Sequence, residues 1–288
     1  MPATEISNDR TEWSKVLTPQ RGWLEIRWKE LWDYRDLIGL LVRRDFIATY
    51  KQTVLGPIWF LLQPIFTTII FTIVFGRIAK ISTDAIPAPL FYLGGLVMWQ
   101  YFADCLNKTS NTFANNAALF GKVYFPRLVV PVSVVITNLL TFTIQFTLFL
   151  GFLCFFMAKG APVAPNFRII VLPVLIVLMA ALGLGAGCLV SALTTRYRDL
   201  SVAVSFGVQL WMYGSAVVYP LSNIAHEWRW LFVLNPMVPI IEAFRFAFLG
   251  AGVVEVWQLG IGAAMCFAIL FAGIVTFNHV EKTFADTV

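Results

Sequence analysis

Few residues in this 288-residue chain are of a kind that does chemistry, and their spacing decides what they can do. A hydrolase or transferase needs a nucleophile beside a base, or clustered carboxylates for a metal. Here His226 and His279 stand apart, and His226-Glu227 lacks the second histidine of a zinc-binding H-E-x-x-H turn. Wrapping a nucleotide's phosphates takes G-x-x-x-x-G-K-[ST]; the one Gly-Lys pair, Gly121-Lys122, is followed by Val123 and has no glycine five residues earlier. Cys105, Cys154, Cys188 and Cys266 each lie in an apolar run without C-x-x-C spacing, so they read as small hydrophobes rather than metal ligands or disulfide partners. No enzyme, bound metal or cofactor is expected of this chain.

Two charged groupings remain. Glu242 and Arg245, three residues apart on one helical turn of an apolar run, can pair with each other or meet a substrate. "TTRYRDL" (Thr194 to Leu200) places Arg196, Tyr197, Arg198 and Asp199 between two apolar runs. The arginines alone would serve membrane topology, but Asp199 adds nothing to it. Aromatic and arginine side chains together suit docking to another protein. An ion-driven carrier would keep carboxylates or histidines inside its spans; these are nearly free of them, Asp104 falling near a membrane face.

The elements that position these groups are membrane helices. The chain is 59% hydrophobic and only 13% charged, with a mean hydropathy of +0.76, outside the range of soluble domains. A span needs about 20 apolar residues to cross a hydrocarbon core of about 30 Å. Six runs qualify, at 57–76, 89–106, 128–157, 169–193, 202–219 and 257–277, and the fold class is all-α integral membrane. A seventh apolar run, 231–250, is broken by Pro236 and Pro239 and holds Glu242 and Arg245, so it reads as re-entrant. Residues 1–30 form a charged, Trp-rich N-terminal segment with no cleaved signal expected, ahead of one membrane domain at 31–282.

With both termini in the cytoplasm, about fifteen of the 21 basic residues fall on that side, as positive-inside topology demands. The same topology accounts for the net charge of +5 without a nucleic-acid partner. Within 31–52, Leu31, Tyr34, Leu37, Ile38, Leu41 and Val42 recur at helical spacing while Arg35, Asp36 and Arg43 point elsewhere, giving an amphipathic helix along the cytoplasmic membrane face. In the fourth span Ala180, Gly183, Gly187 and Ser191 make a small-residue stripe against which another helix can pack.

Four segments, "RRDFIATYKQTVLGPIWFLLQP", "LFGKVYFPRLVVPVS", "TTRYRDL" and "LNPMVPIIEAFRFAFLG", appear in an order that resembles the permease subunits of ABC-2 type exporters, specifically those that move polysaccharides. The resemblance covers residues 37 to 282. It implies a homodimer of six-helix subunits with two ATPase subunits on the cytoplasmic side, where ATP and Mg are bound, in the cell's inner membrane. It also implies that the amphipathic helix and short cytoplasmic connections transmit motion from the ATPases. By position those connections hold Arg43, Arg44, Tyr50, Lys51 and Gln52, then Lys122, Tyr124, Pro126 and Arg127, then Arg196, Tyr197, Arg198 and Asp199. The broken segment from Asn235 and Pro236 to Gly250 resembles the family's re-entrant helices on the outer side, with Glu242 and Arg245 in it.

The cargo so implied is a glycan on a polyprenyl diphosphate carrier, of O-antigen, capsule or teichoic-acid type. Sugar rings stack on aromatics, which makes Trp59, Phe60, Phe66, Trp99, Tyr101 and Phe102, near the ends of the first two spans, candidates for the wall of its path. An interfacial aromatic belt gives the same composition. Arg43, Arg44 and Lys51 would attract a lipid diphosphate, and anionic membrane lipids equally. Two rivals stand beside this reading: the same fold exporting a small amphiphile or drug, and a channel or carrier that works without an ATPase.

Overall fold

The computed structural model describes residues 28–51, 53–120, 125–194, 199–252 and 255–284. Among them the α-helices are α1 (Trp28–Asp33), α2 (Arg35–Tyr50), α3 (Trp59–Phe71), α4 (Ala88–Ser110), α5 (Thr112–Phe120), α6 (Val129–Ala158), α7 (Leu172–Thr194), α8 (Leu200–Tyr213), α9 (Arg229–Val233), α10 (Met237–Leu249) and α11 (Val256–Phe284). No strand occurs among the described residues. Short 3-10 turns lead into α3 and α7, and α3 continues as a π-helical turn over Thr72–Ile78.

Among the described residues four helical stretches are long and apolar enough to cross a bilayer: Gly56–Ile78, Val129–Ala158, Phe167–Thr194 and Val256–Val280. The chain is a multi-pass membrane protein. The second and fifth expected spans depart from this pattern for different reasons. α4 carries Gln100, whose Nε2 donates to Asp104 Oδ1 at 2.9 Å, and its glycines and polar groups dilute its hydropathy. Yet every residue from Leu90 to Trp99 is buried inside the protein, so α4 has no lipid-facing stripe to keep apolar. α8 is 14 residues long, about 21 Å at about 1.5 Å per residue, and stops at Tyr213 rather than reaching 219. Beyond it the chain unwinds, with Ala216 at a φ of 55°. The seventh apolar run is broken into α9 and α10 around Asn235 and Pro236, leaving α10 with 13 residues.

α4 is the central helix, packed against α3, α6, α7, α8 and α10. The stripe on α7 does what small residues do: a Cβ on Gly183 would lie 2.7 Å from Cys105 Cβ, and one on Gly187 would lie 2.5 Å from Thr109 Cβ, both on α4. On another face of α7, a Cβ on Gly185 would lie 2.5 Å from Leu270 Cα, and one on Gly273 would strike the Gly185 carbonyl. α7 is thereby held between α4 and α11 at backbone contact.

α2 lies across one end of the bundle. Leu41 is buried and Tyr34, Leu37 and Ile38 are half-buried against Phe113, Phe125, Val129 and Phe277, while Trp32, Leu40 and Arg43 are exposed. The apolar row read from the sequence is therefore the inward one, and it meets protein side chains. Thr194 Oγ1 at the end of α7 donates to the Ser110 carbonyl at the end of α4 at 3.0 Å, which brings the start of α8 to this same end. The opposite end gathers the loop 79–87, the segment 159–166 and α10: Ser222 Oγ donates to Asp84 Oδ1 at 2.8 Å, and the Ala164 amide donates to the Leu249 carbonyl at 3.2 Å.

Gly185→Val should lower the melting temperature of the detergent-solubilised protein by several degrees, because overpacking a closed contact costs about 1–3 kcal/mol or more. Gly151→Ala, where nothing lies within 4 Å, should leave it unchanged or raise it. Equal melting temperatures for the two variants would contradict the close α7–α11 contact.

Candidate functional site

Three groups of sequence-selected residues are placed by this framework, at the α2 end, at the α10 end and along the bundle.

At the α2 end, Arg43 and Arg44 stand exposed on α2, and Arg44 Nε makes an ion pair with Asp45 Oδ1 at 2.7 Å. Lys51 follows α2 directly and is exposed, its amide donating to the Ile47 carbonyl at 2.8 Å. Arg127 sits in the turn before α6, half-buried, its guanidinium carbon 5.5 Å from the Phe120 ring centroid. Asp199 is the residue before α8 and is exposed; its carbonyl accepts from the Val202 amide at 3.1 Å. Lys122, Tyr124, Arg196, Tyr197 and Arg198 lie outside the described residues, as do Gln52 and the side chain of Tyr50. The described members share one end of the molecule, and they come from α2, the 125–128 turn and the start of α8. The connection after α4 is itself partly helical, as α5, a feature with no sequence signal beyond its modest apolar content.

At the α10 end, Glu242 and Arg245 form one buried unit. Arg245 Nη1 lies 3.3 Å from Glu242 Oε1, and each side chain is 1% exposed. Arg245 does more than pair: Nη1 donates to the Ala216 carbonyl at 2.6 Å and Nη2 to the Val217 carbonyl at 2.7 Å. Its guanidinium carbon sits 3.7 Å from the Phe91 ring centroid, a cation over an aromatic face. Glu242 Oε1 also accepts from the Leu221 amide at 3.4 Å. A guanidinium presents five N–H donors in a fixed fork, and only backbone freed from helix can offer two adjacent carbonyls to it. The unwinding after α8, which cut the fifth expected span short, is what supplies them.

Asn235 fastens the same segment from the other side. Its Nδ2 donates to the Gly214 carbonyl and to Ser215 Oγ, both at 2.9 Å, and its Oδ1 accepts from the Met237 amide at 3.1 Å at the start of α10. Pro236, buried, precedes α10 where a missing N–H costs nothing. Sequence reading passed over two residues this unit depends on. A Cβ on Gly95 would lie 2.8 Å from Arg245 Nη2, and one on Gly94 would lie 3.1 Å from the Phe149 ring, so the Gly94-Gly95 pair makes the room. Two adjacent glycines inside an apolar run were the available signal.

The six aromatics divide. Trp59 and Phe66 are exposed on α3, and Phe60 stacks on Phe46 of α2 at 5.8 Å between centroids. Trp99, Tyr101 and Phe102 are buried in the core. Trp99 and Phe102 pack edge-on against each other and against Trp211, and Tyr101 packs against Phe142. All three sit on α4 and are covered by neighbouring helices. Among the described residues no group of three or more His, Cys, Asp or Glu could hold a metal ion. Of the cysteines, Cys105, Cys188 and Cys266 are buried and Cys154 is exposed on α6.

A simple reciprocal ion pair would tolerate exchange, but the geometry here does not. Exchanging the two residues (Glu242→Arg with Arg245→Glu) sets a carboxylate against two carbonyl oxygens. Breaking a buried pair costs about 3–5 kcal/mol, so both this exchange and Arg245→Met should sharply reduce the yield of monodisperse protein on size exclusion. Wild-type yield and melting temperature for the exchanged variant would contradict the carbonyl bonds.

Known proteins resemble this chain over most of its length. It is 28% identical over 262 residues to the O-antigen export system permease protein RfbA of Myxococcus xanthus, covering 90% of this chain and 98% of the relative. It is 26% identical over 252 residues to the protein of the same name from Klebsiella pneumoniae, covering 87% and 94%. To the polysialic acid transport protein KpsM of Escherichia coli it is 24% identical over 248 residues, covering 85% and 93%. The pattern of one family matches residues 36–249, from α2 through α10, and so takes in both ends of the bundle. The chain belongs to the ABC-2 type transporter family.

Proposed function

We propose that this chain is the permease subunit of an ATP-driven exporter that carries a lipid-linked polysaccharide out of the cytoplasm. The observation that carries this reading is the near full-length similarity to permeases named for O-antigen and for polysialic acid export, two chemically different glycans. A common path for both must recognise features that glycans share, not one sugar. Spans nearly free of carboxylates supply no site for ion coupling, in keeping with an energy source on another subunit.

In this proposal the chain works as a homodimer in the inner membrane, each copy crossing six times with both termini in the cytoplasm. α4 and α8 complete the set of spans, protected from lipid by neighbouring helices or by the second copy. α9 and α10 form a re-entrant gate on the outer side, with Asn235, Pro236, Glu242 and Arg245 as its frame. Two ATPase subunits, binding ATP and Mg, dock on the α2 end at Arg43, Arg44, Lys51, Lys122, Tyr124, Arg127, Arg196, Tyr197, Arg198 and Asp199. Their closure would tilt α2, and Phe46 stacked on Phe60 would pass that tilt to α3. Trp59, Phe60 and Phe66 on α3 then remain as candidates for stacking against sugar rings. The cargo is a glycan on a polyprenyl diphosphate.

Deleting the gene should abolish the surface glycan and cause lipid-linked polymer to accumulate inside the cell. Unchanged surface and lipid-linked glycan would reject this cargo and favour a small amphiphile. Arg198→Glu should weaken co-purification with the ATPase while membrane insertion stays intact, and retained binding would sink the docking assignment.

A further inference from the structure

Below α2 the structure holds a polar cavity of about 260 Å³ in a protein that is otherwise mostly apolar. Arg44 and Thr49 of α2, Lys108 of α4, Asn115 and Asn116 of α5 and Thr137 of α6 line it, so four helices converge there. We infer that this cavity is a binding site for a lipid-borne phosphate group, with Arg44 and Lys108 as its charged donors.

The donors are arranged for an anion rather than satisfied by the protein. Asp45 also lines the cavity, but it takes only Arg44 Nε, at 2.7 Å. The two terminal nitrogens of that guanidinium make no hydrogen bond or ion pair among the described residues, which leaves four N–H groups of the fork. With Nε anchored, the fork is oriented, and a planar fork is well matched to phosphate oxygens. Lys108 is held in a similar way: its Nζ donates to Asn138 Oδ1 at 2.7 Å, and Asn138 is 1% exposed in the middle of α6. Burying an amide is unfavourable unless it is bonded, and this one spends its oxygen on positioning a cation. The ammonium keeps its other two donors. The hydroxyls of Thr49 and Thr137 donate to the Asp45 and Ser133 carbonyls, so the donors left for an anion are those of Arg44 and Lys108 and the amides of Asn115 and Asn116.

Charge and size select the ligand. Of the residues lining the cavity, two are cations and one, Asp45, is a carboxylate; Asp104 lies behind Lys108, one turn earlier on α4, outside the lining. A cavity below about 300 Å³ is too small for a drug-sized molecule or a glycan but admits one headgroup. It lies between α2 and the first turns of α6, at the end of a stretch apolar enough to cross a bilayer, and the end of such a stretch is the level of lipid phosphates. Two lipids bring that chemistry: an anionic glycerophospholipid and a polyprenyl diphosphate. The second source rests on the export reading above; the phosphate site does not.

The test uses the full-length protein in phosphatidylcholine nanodiscs, with geranylgeranyl diphosphate as the titrated probe and Arg44→Gln/Lys108→Gln as the variant. The double variant should lose at least about tenfold in affinity, the cost of two charge-assisted contacts, while Arg35→Gln, on an exposed part of α2, should bind as wild type. If nanodiscs containing phosphatidylglycerol weaken probe binding to the wild type, the resident ligand is a membrane phospholipid. If they do not, it is the isoprenoid diphosphate. Either supports the site. A double variant with an unchanged melting temperature that binds like wild type overturns it, as does a wild type that binds neither lipid. Should the double variant fail to fold, Arg44→Gln alone, whose side chain is half exposed, gives the same comparison. Loss of binding is read without export, so a failed site and a failed export assignment remain separate results.

Discussion

Arg245 is the constraint on which much of the molecule rests. It is a guanidinium with 1% exposure, and its terminal nitrogens are met by protein while its buried Nε makes no hydrogen bond among the described residues. Glu242 meets part of that need, and the carbonyls of Ala216 and Val217 meet more. Those carbonyls are available only where a helix has ended. Around this one side chain are arranged the chain unwound beyond Tyr213, the irregular course through 216, Gly95 of α4, which leaves it space, and Phe91 with its ring face turned to the charge. The ion pair itself adds little net stability after desolvation. Its effect is to permit one arrangement of this end and penalise others.

The other end obeys different physics. There α2 is held by an ordinary apolar seam of Leu37, Ile38 and Leu41 against Phe113, Phe125 and Val129, while its charged side is exposed. A seam of that kind has no directional bonds and can slide or rock at modest cost, in contrast to the network around Arg245. Between the ends, α4 is enclosed and α7 is clamped at backbone contact, so the middle of the bundle behaves as a rigid strut. A hard end, a stiff middle and a more compliant end are the ingredients of a lever.

Much of this was legible in the sequence, and the failures have identifiable causes. Hydropathy located the four long apolar helices, and the period of Leu31, Tyr34, Leu37, Ile38, Leu41 and Val42 marked the row that α1 and α2 turn inward. The stripe at Gly183 and Gly187 announced a close helix contact, though nothing in it said that α4 would be the partner. Gly185 and Gly273 escaped because their meeting is long-range and each looks ordinary in its own helix. The end of α8 had a local sign in Gly214, but the apolar run continues to Tyr219, and the side chain that uses the freed carbonyls lies far away at position 245. That Trp99, Tyr101 and Phe102 are buried while Trp59 and Phe66 are exposed has no local sign, because distance along a chain does not tell which face of a helix a ring occupies. The cavity under α2 drew on four helices, and no window of sequence contains it.

The π-helical turn over Thr72–Ile78 carries a consequence of its own. Its bonds reach further than those of an α-helix, as in the Ala79 amide donating to the Val74 carbonyl at 2.9 Å, so it holds extra chain within the same rise. Removing one residue to restore α geometry would rotate all of α3 before it by about 100°. Trp59 and Phe66 would then face a different neighbour with no change to their own side chains. The azimuth of the first membrane-crossing helix is thus set by the count of residues in one turn at its far end, and this count is a quantity on which insertion and deletion act, whereas substitution does not.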